Sequence, residues 1–206
     1  MHYDVIVYVL VIDFLAIMSP GPDFFMVLKN SLTISLKAGV YTTLGIALGS
    51  NITFTIGLFG LGIVVASSKL LFTIIKVIGA AYLIYLAIKS LLATVRLEEP
   101  QLVYAEPSLS SLGQYFKIGL LCNLSNPKAF MFVVALSTYA IKHGSTNLDN
   151  LCIVLVSGIN TIIWFTCVAC LFGTVKVRQV FYQNQRWINI IFAIILFYVA
   201  IQIIVF

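Results

Sequence analysis

Residues 19–25 of the chain read SPGPDFF, and they lie inside an apolar run that extends from about residue 4 to residue 28. Proline lacks a backbone N–H and clashes with the preceding helical turn, which costs about 3 kcal/mol inside a helix. Asp23 adds the cost of an ionisable group in an apolar segment. The two costs together predict that the helix is interrupted here for a functional reason.

The composition of the whole chain is that of a membrane protein. Of its 206 residues, 61% are hydrophobic and 9% are charged, with a mean hydropathy of +1.08, whereas a soluble domain has about 25% charged residues. The basic residues are scattered among loops, so the net charge of +5 does not indicate nucleic-acid binding. The first apolar segment has no basic flank and no cleavage site, and we expect it to remain as a membrane span.

Six apolar segments are long enough to cross a bilayer, since a transmembrane helix needs about 20 mostly apolar residues. They are residues 4–28, 40–66, 70–94, 115–140, 149–173 and 187–206. We expect one transmembrane domain over residues 1–206, with a first repeat at about 1–94, a connector at 95–114 and a second repeat at about 115–206. Residues 109–116 are amphipathic, which leaves open whether they lie at the interface or inside the membrane.

The two halves resemble each other around their prolines. A shift of 105 residues aligns SPGPDFFMV with LSNPKAFMF, so that Pro22 meets Pro127 and Asp23 meets Lys128. Halves with an odd number of spans have opposite orientations. The sequence therefore predicts an all-α integral membrane protein of six transmembrane helices, arranged as two inverted three-helix repeats with helices 1 and 4 broken.

The lysine and arginine residues of the short loops favour a topology with both termini outside. Eight would then lie inside and three outside, with Lys128 assigned to the motif. The inner set is Lys29, Lys37, Lys89, Arg96, Lys117, Lys176, Arg178 and Arg186, and the outer set is Lys69, Lys76 and Lys142.

The residues at each break are those that begin a new helix. Gly21 and Asn126 are suitable N-caps, and Pro22 and Pro127 follow in the first helical position. A broken helix is tolerated at membrane depth only where protein or a wet cavity satisfies its backbone. The new helix ends carry about half a positive charge each and can bind a carboxylate. The sequence thus predicts an internal cavity at the breaks.

Asp23 and Lys128 add opposite charges at matching positions of the two breaks. A ligand with both an ammonium and a carboxylate group suits this pair, and a free amino acid is the simplest such ligand. In the alternative interpretation, the two side chains only pair with each other or cap their helices.

The sequence also indicates what the protein does not contain. It has no H-E-x-x-H, no suitable G-x-S-x-G and no phosphate loop, so we expect no enzyme activity and no cofactor. The only histidines, His2 and His143, lie near predicted membrane edges, so we expect no metal site. No nucleotide-binding domain is present, and transport would therefore use an ion gradient or be passive.

Several stretches resemble the LysE/RhtB family of amino-acid exporters over about residues 15–193. They are SPGPDFFMVLKNSL, KAG, LGIALG, KVIGAAYLIYLAIKSL and KIGLLCNLSNPKAFMF, and PGPDFF, NLSNPKA and WFTCVACLF are most similar to the threonine/homoserine efflux proteins of that family. The resemblance implies export of a threonine- or homoserine-like or other neutral amino acid from the bacterial cytoplasm. It also implies an inner-membrane location and proton antiport.

Two positions depart from the pattern of that family. Asn160 stands where threonine-exporter-like members tend to carry an acid, and Ala193 replaces a common glycine. Asp13 and Asp23 then become the candidate proton carriers. Asp13 could line the same cavity as the first break, or it could merely be hydrogen-bonded among helices. Asn160 and Trp164 could likewise form a polar contact between helices. The candidate substrate-binding residues are Pro20, Gly21, Pro22, Asp23, Asn123, Asn126, Pro127, Lys128, Asn160 and Trp164.

Two other functions fit the sequence less well. A membrane thiol–disulfide carrier would use one cysteine near each break, but the counterpart of Cys122 is Ile17 and the first half has no cysteine. A cation exporter would need several carboxylates or carbonyls, and the predicted membrane interior has two acids and one lysine. The sequence leaves open the identity of the substrate and whether the protein forms a homo-oligomer.

Overall fold

A computed structural model describes residues 1–60, 68–92, 112–172 and 175–205. These residues form eight α-helices and no strand. The helices are α1 (Tyr3–Met18), α2 (Pro22–Thr33), α3 (Leu36–Thr55), α4 (Lys69–Leu92), α5 (Leu112–Leu124), α6 (Pro127–Lys142), α7 (Asn147–Leu171) and α8 (Val175–Val205), and a π-helical turn at Ile56–Gly60 extends α3.

Both predicted breaks are confirmed. The axes of α1 and α2 are bent by 54°, and those of α5 and α6 by 59°. Gly21 is the extended N-cap residue of α2, and Pro22 follows it in the first turn. Asn126 caps α6, because its side-chain oxygen accepts a hydrogen bond from the backbone N–H of Lys128 at 3.1 Å. The local chemistry of the two motifs thus sets where the new helices begin.

Several of these helices can cross a membrane. Three are long and apolar enough on their own, namely Leu36–Gly60, Thr73–Leu92 and Asn147–Leu171, and each bent pair can form one further span. The apolar part of α8, Arg186–Gln202, is shorter. The chain is therefore a multi-pass, all-helical membrane protein. The sixth span and the inverted repeat stay predictions.

Some of the sequence predictions fall on residues outside the described ranges. These include nearly all of the connector 95–114 and the first part of the segment 109–116. Residues 112–116 belong to α5, which therefore begins before Lys117.

Contacts between distant residues show how the two breaks face each other. Asp23 contacts Asn123, and Ser19 contacts Lys128, so the residue number rises on one chain segment as it falls on the other. The two breaks therefore lie against each other in the bundle.

The apolar core is divided into two clusters that flank the breaks. The larger one joins α1, α4, α6, α7 and α8 around side chains such as Val9, Leu136 and Leu196. The smaller one joins α2, α3 and α7 around Phe24 and Phe165. Polar side chains of the motifs are thereby held between two packed apolar regions.

Candidate functional site

A cavity of about 50 Å³, called the inner chamber below, lies where the two breaks meet. All three charged side chains singled out in the sequence line it, namely Asp13 from α1, Asp23 from α2 and Lys128 from α6. The lining also includes Ser19, Gly21, Ser50, Asn123, Asn126, Phe132, Thr161 and Phe165. A polar space of this volume holds a few water molecules.

Asp23 is held in the inner chamber by a neighbour from the other half of the chain. Its side chain is 8% exposed, and its Oδ2 accepts a hydrogen bond from Asn123 Nδ2 at 2.8 Å. Its Oδ1 has no hydrogen-bond partner among the described residues. The contact of Oδ2 with Asn123 therefore fixes the orientation of the carboxylate.

Lys128 points from the second break toward the first. Its Nζ donates a hydrogen bond to the backbone oxygen of Ser19 at 3.1 Å and lies 4.6 Å from the centre of the Phe192 ring. Ser19 lies in the interruption between α1 and α2, where carbonyl groups lose their helical partners. The ammonium group thus satisfies one of the acceptors that the break exposes.

The opposite charges of Asp23 and Lys128 share the chamber without forming an ion pair. Both side chains are described, and no nitrogen–oxygen distance between them is within 4.0 Å. Each is instead hydrogen-bonded to a neutral group of the other break.

Asp13 both lines the inner chamber and forms a hydrogen bond between helices. It is 3% exposed, lines the inner chamber and accepts a hydrogen bond from Ser157 Oγ of α7 at 2.7 Å. The first break therefore has two buried carboxyl groups nearby, one on each side of the interruption.

A second cavity, of about 320 Å³ and called the outer cavity below, lies beside the inner chamber. Pro20, Pro22 and Pro127 line it from the breaks, and Lys89, Ser90 and Asn189 line it from α4 and α8. The residues that line both cavities are Ser19, Gly21, Asn126 and Lys128. The capped helix ends and the lysine thus form the wall between the two spaces.

Two predicted site residues lie elsewhere. Asn160 donates a hydrogen bond from Nδ2 to the backbone oxygen of Leu10 at 3.5 Å, which joins α7 to α1. Trp164 packs edge-to-face on Phe14 and lines a third cavity, of about 230 Å³, with Met18 and other apolar residues. Neither side chain lines the inner chamber or the outer cavity.

The neighbouring face of α7 supplies the contacts that sequence reasoning missed. Ser157 and Thr161 are four residues apart, as are Asn160 and Trp164, so each pair occupies one face of the helix. The sequence shows both polar pairs but does not show which of the two faces turns inward. In the structure Thr161 lines the inner chamber and Ser157 holds Asp13.

The four cysteines are all unpaired. Cys122 is partly buried, whereas Cys167 and Cys170 are exposed on α7. Cys167 and Cys170, three residues apart, therefore share a face of α7 that turns away from the helix bundle.

Comparison with known proteins decides the family. The family model described as LysE type translocator matches residues 14–205, which include both breaks, Asp23 and Lys128. The chain belongs to the LysE type translocator family. This confirms the resemblance seen in the sequence and makes the protein a member of a transport family rather than of an enzyme family.

Individual relatives of this LysE-type translocator agree with the assignment. It is 30% identical to the threonine efflux proteins of Salmonella typhi and Escherichia coli K12, over 88% of this chain and 88% of each relative. It is 37% identical to the membrane protein YrhP of Bacillus subtilis, over 71% of this chain and 72% of that protein. No solved structure matches the chain.

Proposed function

We propose that this LysE-type translocator exports a neutral, threonine- or homoserine-like amino acid from the bacterial cytoplasm in exchange for protons. The observation that carries the proposal is the placement of Asp23 and Lys128. They come from the two breaks, line one chamber and do not pair with each other. The relatives named as threonine efflux proteins support the same class of substrate.

The free acceptors of the inner chamber suit an ammonium group. Asp23 Oδ1, Asn123 Oδ1 and Thr161 Oγ1 are buried and have no hydrogen-bond partner among the described residues. An ammonium group donates three hydrogen bonds. The substrate carboxylate would then lie toward Lys128 and the N-terminal ends of α2 and α6, where N–H groups and the helix dipole favour an anion.

The inner chamber must enlarge before it can hold an amino acid. Its volume of about 50 Å³ is that of a few waters, whereas small-molecule sites have volumes of about 300–1,000 Å³. Alternating access supplies such a change, because a broken helix can move relative to the rest of its repeat. The structure then corresponds to a state in which the chamber is closed around its polar groups.

Asp23 is the carboxyl group that we propose exchanges a proton for substrate. Only one of its oxygens is held by Asn123, and a substrate ammonium and a proton would compete for the other. Asp13 is the second candidate carrier, since it lines the same chamber from α1. Binding of the ammonium would release the proton, which couples the two fluxes.

The test uses reconstituted vesicles, a panel of labelled amino acids and an imposed pH gradient. We expect Asp23→Asn to lower proton-coupled efflux about ten- to hundredfold, since a hydrogen bond to a charged group contributes about 1.5–3 kcal/mol. Asp4→Asn changes an exposed acid of α1 and is the matched control. Full proton-coupled efflux by Asp23→Asn would show that the assigned role is wrong.

Lys128→Met gives an independent test of the carboxylate half of the site. This substitution keeps the apolar stem and removes the ammonium, so we expect loss of efflux of amino acids. Lys142→Met, at the exposed end of α6, should transport as the unmodified protein does. If both lysine variants transport alike, Lys128 does not bind substrate.

A further inference from the structure

We propose that the outer cavity is a separate capture site, in which Lys89 binds the carboxylate of the amino acid before Lys128 moves to admit it to the inner chamber. This inference rests on the proposed function and adds a second binding site to it.

The outer cavity is large enough to hold an amino acid in this structure. Its volume of about 320 Å³ lies within the range of small-molecule sites, whereas the inner chamber is too small for the substrate in the same structure. An amino acid that approaches the breaks in this state can therefore occupy the outer cavity only. The two sites are used in sequence.

The charged residues of the outer cavity favour the carboxylate of the substrate. Its described lining includes two lysines, Lys89 and Lys128, and no acidic residue. Such a lining favours an anionic group, and the carboxylate is the anionic part of an amino acid. The absence of an acid also separates the two sites, because the ammonium finds its partner Asp23 only in the inner chamber.

Lys128 is placed to link the two cavities. Its side chain lines both cavities, and its Nζ is hydrogen-bonded to Ser19 O across the space between the breaks. Gly21 leaves room for it, since a Cβ there would lie 3.2 Å from Nζ. A carboxylate in the outer cavity competes with Ser19 O for this ammonium. Capture thus loosens a contact that holds the two breaks together beside the inner chamber.

The location of the cavity agrees with export. Lys89 and Ser90 lie in the last turn of α4, and Ser90 Oγ donates a hydrogen bond to the backbone oxygen of Asn189 at 3.0 Å. In the predicted topology this end of α4 faces the cytoplasm. The capture site is then on the side from which an exporter takes its substrate.

Kinetics in everted membrane vesicles, whose cytoplasmic face is outward, test the charge. We expect Lys89→Gln to raise the KM for amino-acid uptake about three- to fivefold, as for a partly solvated charge pair, with Vmax nearly unchanged. Its preference for the amino acid over the corresponding amide should fall by the same factor, which a merely structural effect would not produce. Lys37→Gln, an exposed lysine on the same predicted side, is the control.

A pair of variants at Ser90 tests the space. Ser90→Phe fills the outer cavity, so we expect this substitution to raise the KM for threonine-sized substrates more than it raises the KM for glycine. Ser90→Ala removes the same hydrogen bond to Asn189 but leaves the space, so we expect it not to change the ratio of the KM for threonine-sized substrates to the KM for glycine. Should the phenylalanine variant fail to reach the membrane, the Lys89→Gln kinetics still decide.

The outcomes separate this inference from the proposed function. Amino-acid transport that depends on Asp23 but is unaffected in KM and in acid-to-amide preference by Lys89→Gln would overturn the capture site alone. No amino-acid transport by the unmodified protein would overturn both.

Discussion

At the scale of single residues, the contact between Asn123 and Asp23 depends on a glycine of a third helix. A Cβ at Gly49 would lie 2.8 Å from Asn123 Oδ1 and 2.9 Å from its Cβ, so the asparagine occupies the space that this glycine leaves. Asn123 in turn orients the Asp23 carboxylate from a position 100 residues away. Gly49, Asn123 and Asp23 therefore act as one unit.

We predict that Gly49→Ala and Asn123→Ala each lower efflux about three- to tenfold, because each removes the hydrogen bond that orients Asp23. The double variant should be no worse than the more severe single variant, since both changes affect the same contact. Initial efflux rates at equal protein content measure this. Gly113→Ala is the control, because no described residue outside its own helix backbone and chain neighbours lies within 4 Å of its added Cβ. Additive losses would contradict the shared contact.

The same residues show what a sequence can predict about a site. Gly21, Pro22, Asn126 and Pro127 were predicted as helix starts because capping is local chemistry, and the structure has them in those positions. The role of Ser157 was not predicted, because its contact with Asp13 joins helices 144 residues apart in sequence.

At the scale of elements, α3 and α5 approach each other more closely than side chains would allow. A Cβ at Gly45 would overlap the backbone oxygen of Phe116, and one at Gly119 would overlap that of Thr42. Each helix thus contributes a glycine against the backbone of the other. The G-x-x-x-G of residues 45–49 is a spacing typical of close helix contacts, but the sequence does not identify α5 as the partner.

We predict that Gly45→Ala and Gly119→Ala each lower the stability of the protein by about 1–3 kcal/mol, the usual cost of overpacking. The clash is with backbone, which cannot rotate away as a side chain can. Thermal unfolding in detergent should show a lower Tm for both variants and an unchanged Tm for Gly60→Ala, whose added Cβ has, among the described residues, only Ile56 near it, at 3.8 Å. An unchanged Tm for Gly45→Ala would contradict the close approach.

At the scale of the whole molecule, long-range contacts show which helix ends lie on the same side of the bundle. Two ends on the same side of a membrane are separated by an even number of crossings. The backbone nitrogen and the Nδ1 of His2 lie 3.2 and 3.0 Å from the carboxylate oxygens of Asp149, so the beginnings of α1 and α7 lie at the same end of the bundle. The end of α4 meets α8 through Ser90 and Asn189. The hydrophobic segments of the sequence predicted each span separately. The long-range contacts add the direction in which one span runs relative to another.

The sixth span decides where the C-terminus lies. α8 has 31 residues and is about 46 Å long at 1.5 Å per residue, but its first turns are polar and its apolar part is short. If α8 crosses the bilayer, both termini are on one side; if it lies at the surface, they are on opposite sides. Packing of α8 along α4, which is itself a span, favours a crossing.

We therefore predict that both termini are outside, as the distribution of lysine and arginine indicates. Alkaline phosphatase is active only outside the cytoplasm and green fluorescent protein fluoresces only inside it, so C-terminal fusions to the two give opposite readings. The phosphatase fusion should be active and the fluorescent fusion dark, and fusions truncated after Leu92 should show the reverse. A full-length fusion and a Leu92 fusion that are both bright would mean five crossings, which would leave the second repeat incomplete and contradict the predicted inverted repeat.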